Sequence, residues 1–354
     1  LASEVAALAP EAPASRPSRG ALAGVLRLLL TLLLTFLGLT FVTFAIGRLI
    51  PIDPVIAIAG DRAPVEVYER VRLELGLDRP ILVQYLDYLW KILHGDFGRS
   101  VFSTRPVLQD LLEVFPATFE LSTVAIVVAT LLGVPMGVWA AAHPGRWPDH
   151  LVRIVGLVGY SIPVFWLGLI GLLVLYGQLG WVAGTGRLDV EYDGLVEPVT
   201  GLLLVDSLLA GDTEVFRNAL SHLVLPAGIL AAFSLAYIAR MTRSFMLTAL
   251  AQDYVLTARA KGLSERRVIW GHAFANVRIQ VITVVALAYG YLLEGAVLTE
   301  TVFAWPGLGS YMKNSLFNAD MNAVLGGTLL IGTVFIVLNL LSDHAYRALD
   351  ARTR

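Results

Sequence analysis

Six separated apolar blocks, at residues 28–47, 121–142, 154–177, 219–239, 279–299 and 324–342, constrain this chain more than any other feature. A hydrocarbon layer of about 30 Å needs a helix of about 20 apolar residues, and each block supplies that length. The blocks are continuous runs of Leu, Val, Ile, Ala and Phe rather than ten-residue alternations. Helices that bond their own backbone therefore fit them, and barrel strands do not. With 56 % hydrophobic and only 15 % charged residues, the composition excludes an ordinary soluble domain. The fold class read from this is an all-α membrane protein with six transmembrane helices.

The charge distribution orients the blocks. If the N-terminus lies in the cytoplasm, the inside holds 15 of the 26 basic residues and only 7 of the 28 acidic ones. Arg146 and Arg153, Arg240 and Arg243, and the stretch from Arg259 to Arg278 make up much of that excess. The positive-inside rule then places both termini in the cytoplasm. Residues 1–25, rich in Ala, Pro and Ser near their start, read as a disordered cytoplasmic N-terminus, and 26–354 as one transmembrane domain. No cleavable signal peptide is expected. Residues 48–120 read as a sizeable outer-face segment with short helices between prolines, and the acidic loop from about Gly180 to Asn218 as a solvated outer face. A net charge of −2 gives no pull toward nucleic acid, and the absence of cysteine removes thiolate chemistry.

Gly133 and Gly137 form a small-xxx-small pair suited to close helix contact. Pro135 and Pro163 are expected to kink their helices. Glu294 is the one acid well inside an apolar span, where a carboxylate facing lipid costs on the order of 2 kcal/mol or more. It is expected to line a translocation path and favour a cationic or amine-bearing substrate, or else to bond a neighbouring subunit. His222 and His272 fall at opposite ends of the topology and make no metal pair.

The segment 251–275 carries the most chemistry. Asp253 is placed as N-cap of a short helix, Gly262 as its left-handed C′ residue, and Ser264 as cap of the helix leading into the fifth span. Tyr254, Val255 and Leu256 read as apolar anchors for a partner's groove, and Thr257, Ala258 and Ala260 as small residues permitting close approach. Composition leaves open an interfacial helix whose Arg259 and Lys261 reach anionic headgroups instead.

The run Leu256-Thr-Ala-Arg-Ala-Lys-Gly262, followed by Leu263 and Ser264, resembles the cytoplasmic EAA loop of ABC importer permeases of the dipeptide, oligopeptide and nickel type. Leu256 and Thr257 stand where the general motif has Glu and Ala, and His272-Ala-Phe-Ala275 where it has Ile-x-Leu-Pro. Further matches follow in order: Arg48-Leu-Ile-Pro51 with Asp53-Pro54, Gly95-Asp-Phe-Gly-Arg-Ser100, Ser161-Ile-Pro-Val-Phe165, Glu300-Thr-Val-Phe303 continuing to Pro306, Gly307 and Gly309, and Leu349-Asp-Ala-Arg352. Taken on the residues themselves, Pro306 stops a helix, the two glycines permit a tight outer turn, and Glu300 braces that turn or meets a docking protein.

The resemblance implies a type I importer permease fold and a non-catalytic subunit that forms half of the translocation path. Its partners would be a second homologous permease, two ATPase subunits and an extracytoplasmic substrate-binding protein, in the bacterial inner membrane. No G-x-x-x-x-G-K-[ST] loop occurs, so ATP and Mg would be bound by the partner ATPases and no cofactor by this chain. Substrates implied are di- or oligopeptides, glutathione-like conjugates, opines or nickel. The rival function is a secondary transporter of a small cationic or amine-bearing solute, which would need several polar groups near the midplane where this chain offers one.

Overall fold

The computed structural model of the chain describes residues 19–49, 54–60, 62–74 and 76–349. Expectations on residues 1–18, on Pro51 and Asp53, and on Asp350, Ala351 and Arg352 lie outside the described residues. From 19 to 25 the backbone is already helical, so the disorder expected up to residue 25 does not extend over that stretch.

Thirteen α-helices are described: α1 Arg19–Leu49, α2 Pro54–Ala59, α3 Val65–Glu74, α4 Ile81–Leu93, α5 Val107–Ala142, α6 Trp147–Ser161, α7 Val164–Gly171, α8 Leu203–Leu209, α9 Thr213–Leu250, α10 Asp253–Ala260, α11 Ala275–Val302, α12 Leu308–Phe317 and α13 Met321–Leu349. Leu172–Gln178 continues α7, and Arg267–Phe274 leads into α11, both as π-helix. Five of the helical stretches are long and apolar enough to cross a membrane, and a bent pair made of α6 and α7 brings the number to six.

Several spans differ from the hydropathy blocks in physically informative ways. The second begins at Val107 rather than 121, because helix propensity carries on past the apolar block into the polar residues 107–120, so the segment between the first two spans ends at 106. The fourth runs from Thr213 to Leu250, 38 residues or about 57 Å, and takes Arg240 and Arg243 onto the helix instead of into a loop. The third is sharply bent within its length. Its halves, Trp147–Gly159 and Val164–Gln178, meet at 94°, so Pro163 stands at a break rather than a kink. Proline lacks the N–H needed to continue the ladder and holds the preceding residue extended, and Ile162 has ψ 123°.

The core is the pair α5 and α9. A Cβ on Gly137 would lie 2.6 Å from the Ala239 carbonyl oxygen and 2.7 Å from Thr242 Cβ, while one on Gly133 would meet the Leu235 carbonyl at 3.2 Å. The matching advance along both chains makes these helices parallel, in contact backbone to backbone through the small-residue face. α11 runs antiparallel to α5, joined by Thr123 and Tyr289 hydroxyls at 2.7 Å and by Thr118 to Glu300 at 2.5 Å. One end of the bundle thus carries the starts of α5 and α9 and the end of α11. The opposite end carries the α5–α6 turn and α10.

The acidic loop before α9 is less solvated than its composition suggests. Arg187 bonds Glu120 at 2.6 Å, with side chains only 17 % and 6 % exposed, and Glu120 also accepts the Leu204 N–H at 2.7 Å. Asp206 is buried and accepts from Thr200 N–H and hydroxyl and from Gly201 N–H. Burial raises its pKa, and those hydrogen bonds outweigh it, holding the carboxyl below its usual range.

Candidate functional site

The segment 251–275 folds as a short helix, a glycine turn and a second helical stretch across one end of the bundle. Gln252, not Asp253, occupies the N-cap, and α10 begins at Asp253 with no side-chain capping bond. Asp253 instead sits in the first turn, where its charge complements the helix dipole. At the other end Lys261 is the C-cap and Gly262 has φ +76°. The Gly262 N–H bonds the Arg259 carbonyl at 2.9 Å and the Leu263 N–H bonds the Ala258 carbonyl at 3.3 Å. This bond pair is a Schellman motif, which requires the left-handed residue. Ser264 stands at the start of the next helix, where its carbonyl accepts from Arg267 and Val268 N–H at 2.9 and 3.0 Å; its hydroxyl caps nothing among the described residues.

Burial divides the residues of α10 into two sets. Val255 and Ala258 are buried in the chain's own core, in one cluster with Val268 and Ala273, and Leu263 packs on the same cluster. Val255 and Ala258 therefore anchor the helix to its bundle and are not available to a partner, contrary to the roles assigned them from sequence. Tyr254, Leu256, Thr257, Arg259, Ala260, Lys261 and Gly262 are exposed with Asp253 on the outward side. The Thr257 hydroxyl donates to the Asp253 carbonyl at 3.0 Å. Arg259 is held by Glu265 through two bonds of 2.9 and 3.2 Å, which ties α10 to the helix beyond the turn. Glu265 was not singled out from sequence.

A second group the sequence reading passed over lies at the same end. Asp149, fully buried at the start of α6, accepts the Gly145 N–H at 2.9 Å, Arg153 Nη2 at 3.0 Å and Arg243 Nε from α9. Asp149 and Arg153 stand at i, i+4, which was a legible signal. Arg243 was not, because pairing it with residue 149 requires the fold.

At the opposite end the turn between α11 and α12 is built around Glu300. This carboxylate is 0 % exposed and accepts the Thr118 hydroxyl at 2.5 Å and the Ser310 N–H at 2.8 Å. Thr118 in turn accepts the Leu308 N–H at 2.7 Å. The glycines serve close approach rather than turn geometry: Gly307 has φ −102°, and the left-handed residue of the turn is Ala304 at φ +47°. A Cβ on Gly307 would collide with the Glu300 carboxylate and lie 2.5 Å from Thr118 Oγ1, and one on Gly309 would lie 2.7 Å from Val297 Cα. Pro306 is exposed beyond the end of α11, and Phe303 is buried, with its carbonyl accepting the Gly186 N–H at 2.8 Å. Trp305 donates to the Ala117 carbonyl at 2.9 Å beneath the Arg187 guanidinium.

Glu300→Ala removes the acceptor for two buried donors and is expected to destabilise the protein by about 2–3 kcal/mol. Glu300→Gln keeps one acceptor and is expected to cost less. Thermal melting of the purified protein checks this, and an unchanged midpoint for Glu300→Ala would show the turn to be held by other contacts.

Glu294 is exposed on α11, on a stripe with Tyr291 and Leu298 that faces away from the bundle. It makes no hydrogen bond or ion pair among the described residues. His222 is buried, with Nδ1 3.0 Å from the Asn218 carbonyl oxygen and Nε2 3.5 Å from Asp189, and so serves structure.

Residues 133–354 match the family model described as binding-protein-dependent transport system inner membrane component, and residues 22–122 match the model of the N-terminal part of such membrane components. The probable D,D-dipeptide transport system permease protein DdpB of Escherichia coli K12 is 46 % identical over 91 % of this chain and 94 % of its own length. The di/tripeptide transport system permease protein DppB of Pseudomonas aeruginosa is 45 % identical over 90 % of this chain and 95 % of its own. The dipeptide transport system permease protein DppB of Escherichia coli K12 is 42 % identical over 93 % and 98 %.

Proposed function

The chain belongs to the family of binding-protein-dependent transport system inner membrane components, the permease subunits of ABC importers, and on that premise we propose that it imports di- or tripeptides through a path shared with a second permease. Peptides are the substrates named for the relatives with the greatest similarity given above, and they carry the ammonium and carboxylate groups that polar residues at a path could recognise.

The observation that carries the mechanism is the division of α10. Its inner face, Val255 and Ala258, is fixed in the bundle, and its outer face, Tyr254, Leu256, Thr257, Arg259 and Ala260, is left uncovered. A helix fixed on one side and free on the other can pass a push from a docked subunit into α9 and α11. In this reading two ATPase subunits bind ATP and Mg and seat α10 in a groove. An extracytoplasmic binding protein delivers substrate at the end where Glu300 braces the turn. Both termini then lie in the cytoplasm. The test is co-purification with the ATPase subunits followed by uptake into vesicles. Uptake should require ATP, and substrate uptake driven by an ion gradient without nucleotide would contradict the reading.

The exposed stripe of α11 suits the boundary with the second permease, and in this reading Glu294 faces the shared path rather than the interior of this chain. A carboxylate there attracts the peptide ammonium by about 1–4 kcal/mol at dielectrics of about 80 to 20. Glu294→Gln is accordingly expected to lower uptake of cationic peptides at least about five-fold and that of acidic peptides much less. Equal uptake of both classes by the variant would remove Glu294 from the path.

A further inference from the structure

The bundle end opposite α10 holds a cavity of about 870 Å³, between α4, the loop 96–104 and the first turns of α13, beside the end of α1. Arg48, Lys91 and Arg99 line it, and none has a carboxylate partner among the described residues. A fourth base, Arg79, is held by Asp87 at 2.8 Å. Two carboxylates on the wall, Glu74 and Asp96, hold no base, and Asp96 accepts the Gly98 N–H at 2.9 Å. The floor is apolar, formed by Leu325, Gly326 and Leu329 of α13 with Ile92 of α4.

The depth of this cavity follows from α4. One face of that helix packs on α1, with Tyr85 and Tyr88 hydroxyls 3.0 and 3.1 Å from Thr40 and Thr43. The other exposes Leu82, Leu86, Trp90 and Leu93, each more than half accessible, at helical spacing. An apolar stripe lying against a transmembrane helix, with a tryptophan near its end, suits the boundary between headgroups and acyl chains. The apolar span of α1 ends at Arg48, which sets the same level. The segment expected to lie on the outer face thus presents, at α4, an apolar stripe suited to the membrane interface.

We propose that this cavity holds the phosphate headgroup of a membrane phospholipid, with Arg48, Lys91 and Arg99 around the phosphate and the acyl chains along the exposed face of α4. Three cations in one concave site attract a phosphodiester, and the apolar floor and the stripe on α4 favour one that carries hydrocarbon. The site lies far from α10 and needs neither nucleotide nor peptide.

The purified transporter tests this by thermal melting in detergent with three additions: mixed micelles of phosphatidylethanolamine and phosphatidylglycerol, diacylglycerol with the same acyl chains, and inorganic phosphate. The phospholipids are expected to raise the midpoint by about 3 °C or more, and the other two to leave it unchanged. The variant carrying Arg48→Gln, Lys91→Gln and Arg99→Gln is expected to lose the shift, and the one carrying Arg48→Lys, Lys91→Arg and Arg99→Lys to keep it. A shift from diacylglycerol or from inorganic phosphate equal to that from phospholipid, or none from phospholipid, would overturn the proposal. Full retention of the shift by the glutamine variant would do the same. If that variant does not fold, native mass spectrometry of the wild-type complex decides, since a phospholipid retained on each copy of this chain is expected and its absence overturns the site.

Discussion

Gly262→Val is expected to reduce substrate-stimulated ATP hydrolysis by the assembled transporter at least about ten-fold while leaving assembly and docking of the outer binding protein intact. Gly262 has φ +76° and supplies the C′ position of the Schellman motif that ends α10. A side chain with a Cβ held left-handed costs about 1–2 kcal/mol, and branching at Cβ makes the position still less favourable. That much strain shifts a two-state equilibrium by a factor of about 5–30, enough to depopulate the turn that orients the outer face of α10. Gly262→Asn is the control, because asparagine tolerates the left-handed region and should keep most of the coupling. Gly262→Asp separates strain from contact. Among the described residues, none but its two chain neighbours comes within 4 Å of an added Cβ there, so its carboxylate would point outward at whatever docks. Loss of coupling in Gly262→Asp with retention in Gly262→Asn would identify the docking face itself. Normal coupling in both Gly262→Val and Gly262→Asp would remove the turn from the mechanism.

Asp149→Ala is expected to destabilise the protein by about 3 kcal/mol and to lower its amount in the membrane. The carboxylate is 0 % exposed and joins α6 to α9 through Arg243, itself 19 % exposed, with Arg153 and the Gly145 N–H on its other lone pairs. Removing one member of a buried pair leaves the other without compensation, which costs about 3–5 kcal/mol. The lower end applies here, since the partial exposure of Arg243 lets water recover some of the loss. The double variant Asp149→Ala with Arg243→Ala should be less destabilised than the sum of the single changes, by 1 kcal/mol or more on the order typical of contacting charges. Additive effects in melting experiments would show that the two residues act independently. The position of this pair gives it a second consequence, because α9 leads directly into α10. A transporter that survives Asp149→Ala should therefore show raised basal ATP hydrolysis that substrate stimulates less.

The apolar blocks, the charge asymmetry and the ordered short motifs were enough to read a polytopic helical permease, since length in lipid and backbone satisfaction leave so few alternatives. The glycine that ends α10 was legible for a similar reason: a left-handed C′ position is a local requirement of the chain. Helix ends were less legible. Residues 107–120 and 240–250 are polar enough to lie outside a hydrocarbon layer, and hydropathy cannot tell a helix that continues beyond the membrane from a loop. The direction in which α10 faces was not legible at all. Val255 and Leu256 are adjacent and similar in chemistry, yet one is fully buried in the bundle and the other is 68 % exposed.

The sequence by itself determined class, number of apolar blocks, family resemblance and the position of the turn, because those depend on local chemistry repeated along one chain. Only the tertiary structure decided the pairing of Asp149 with Arg243 and the burial of Glu300 under Gly307 and Gly309. It also decided the gathering of Arg48, Lys91 and Arg99 around one cavity. Each of these is a meeting between residues distant in sequence or a choice of which face turns inward, and such choices are made by packing whole helices against one another rather than by the residues taken in order.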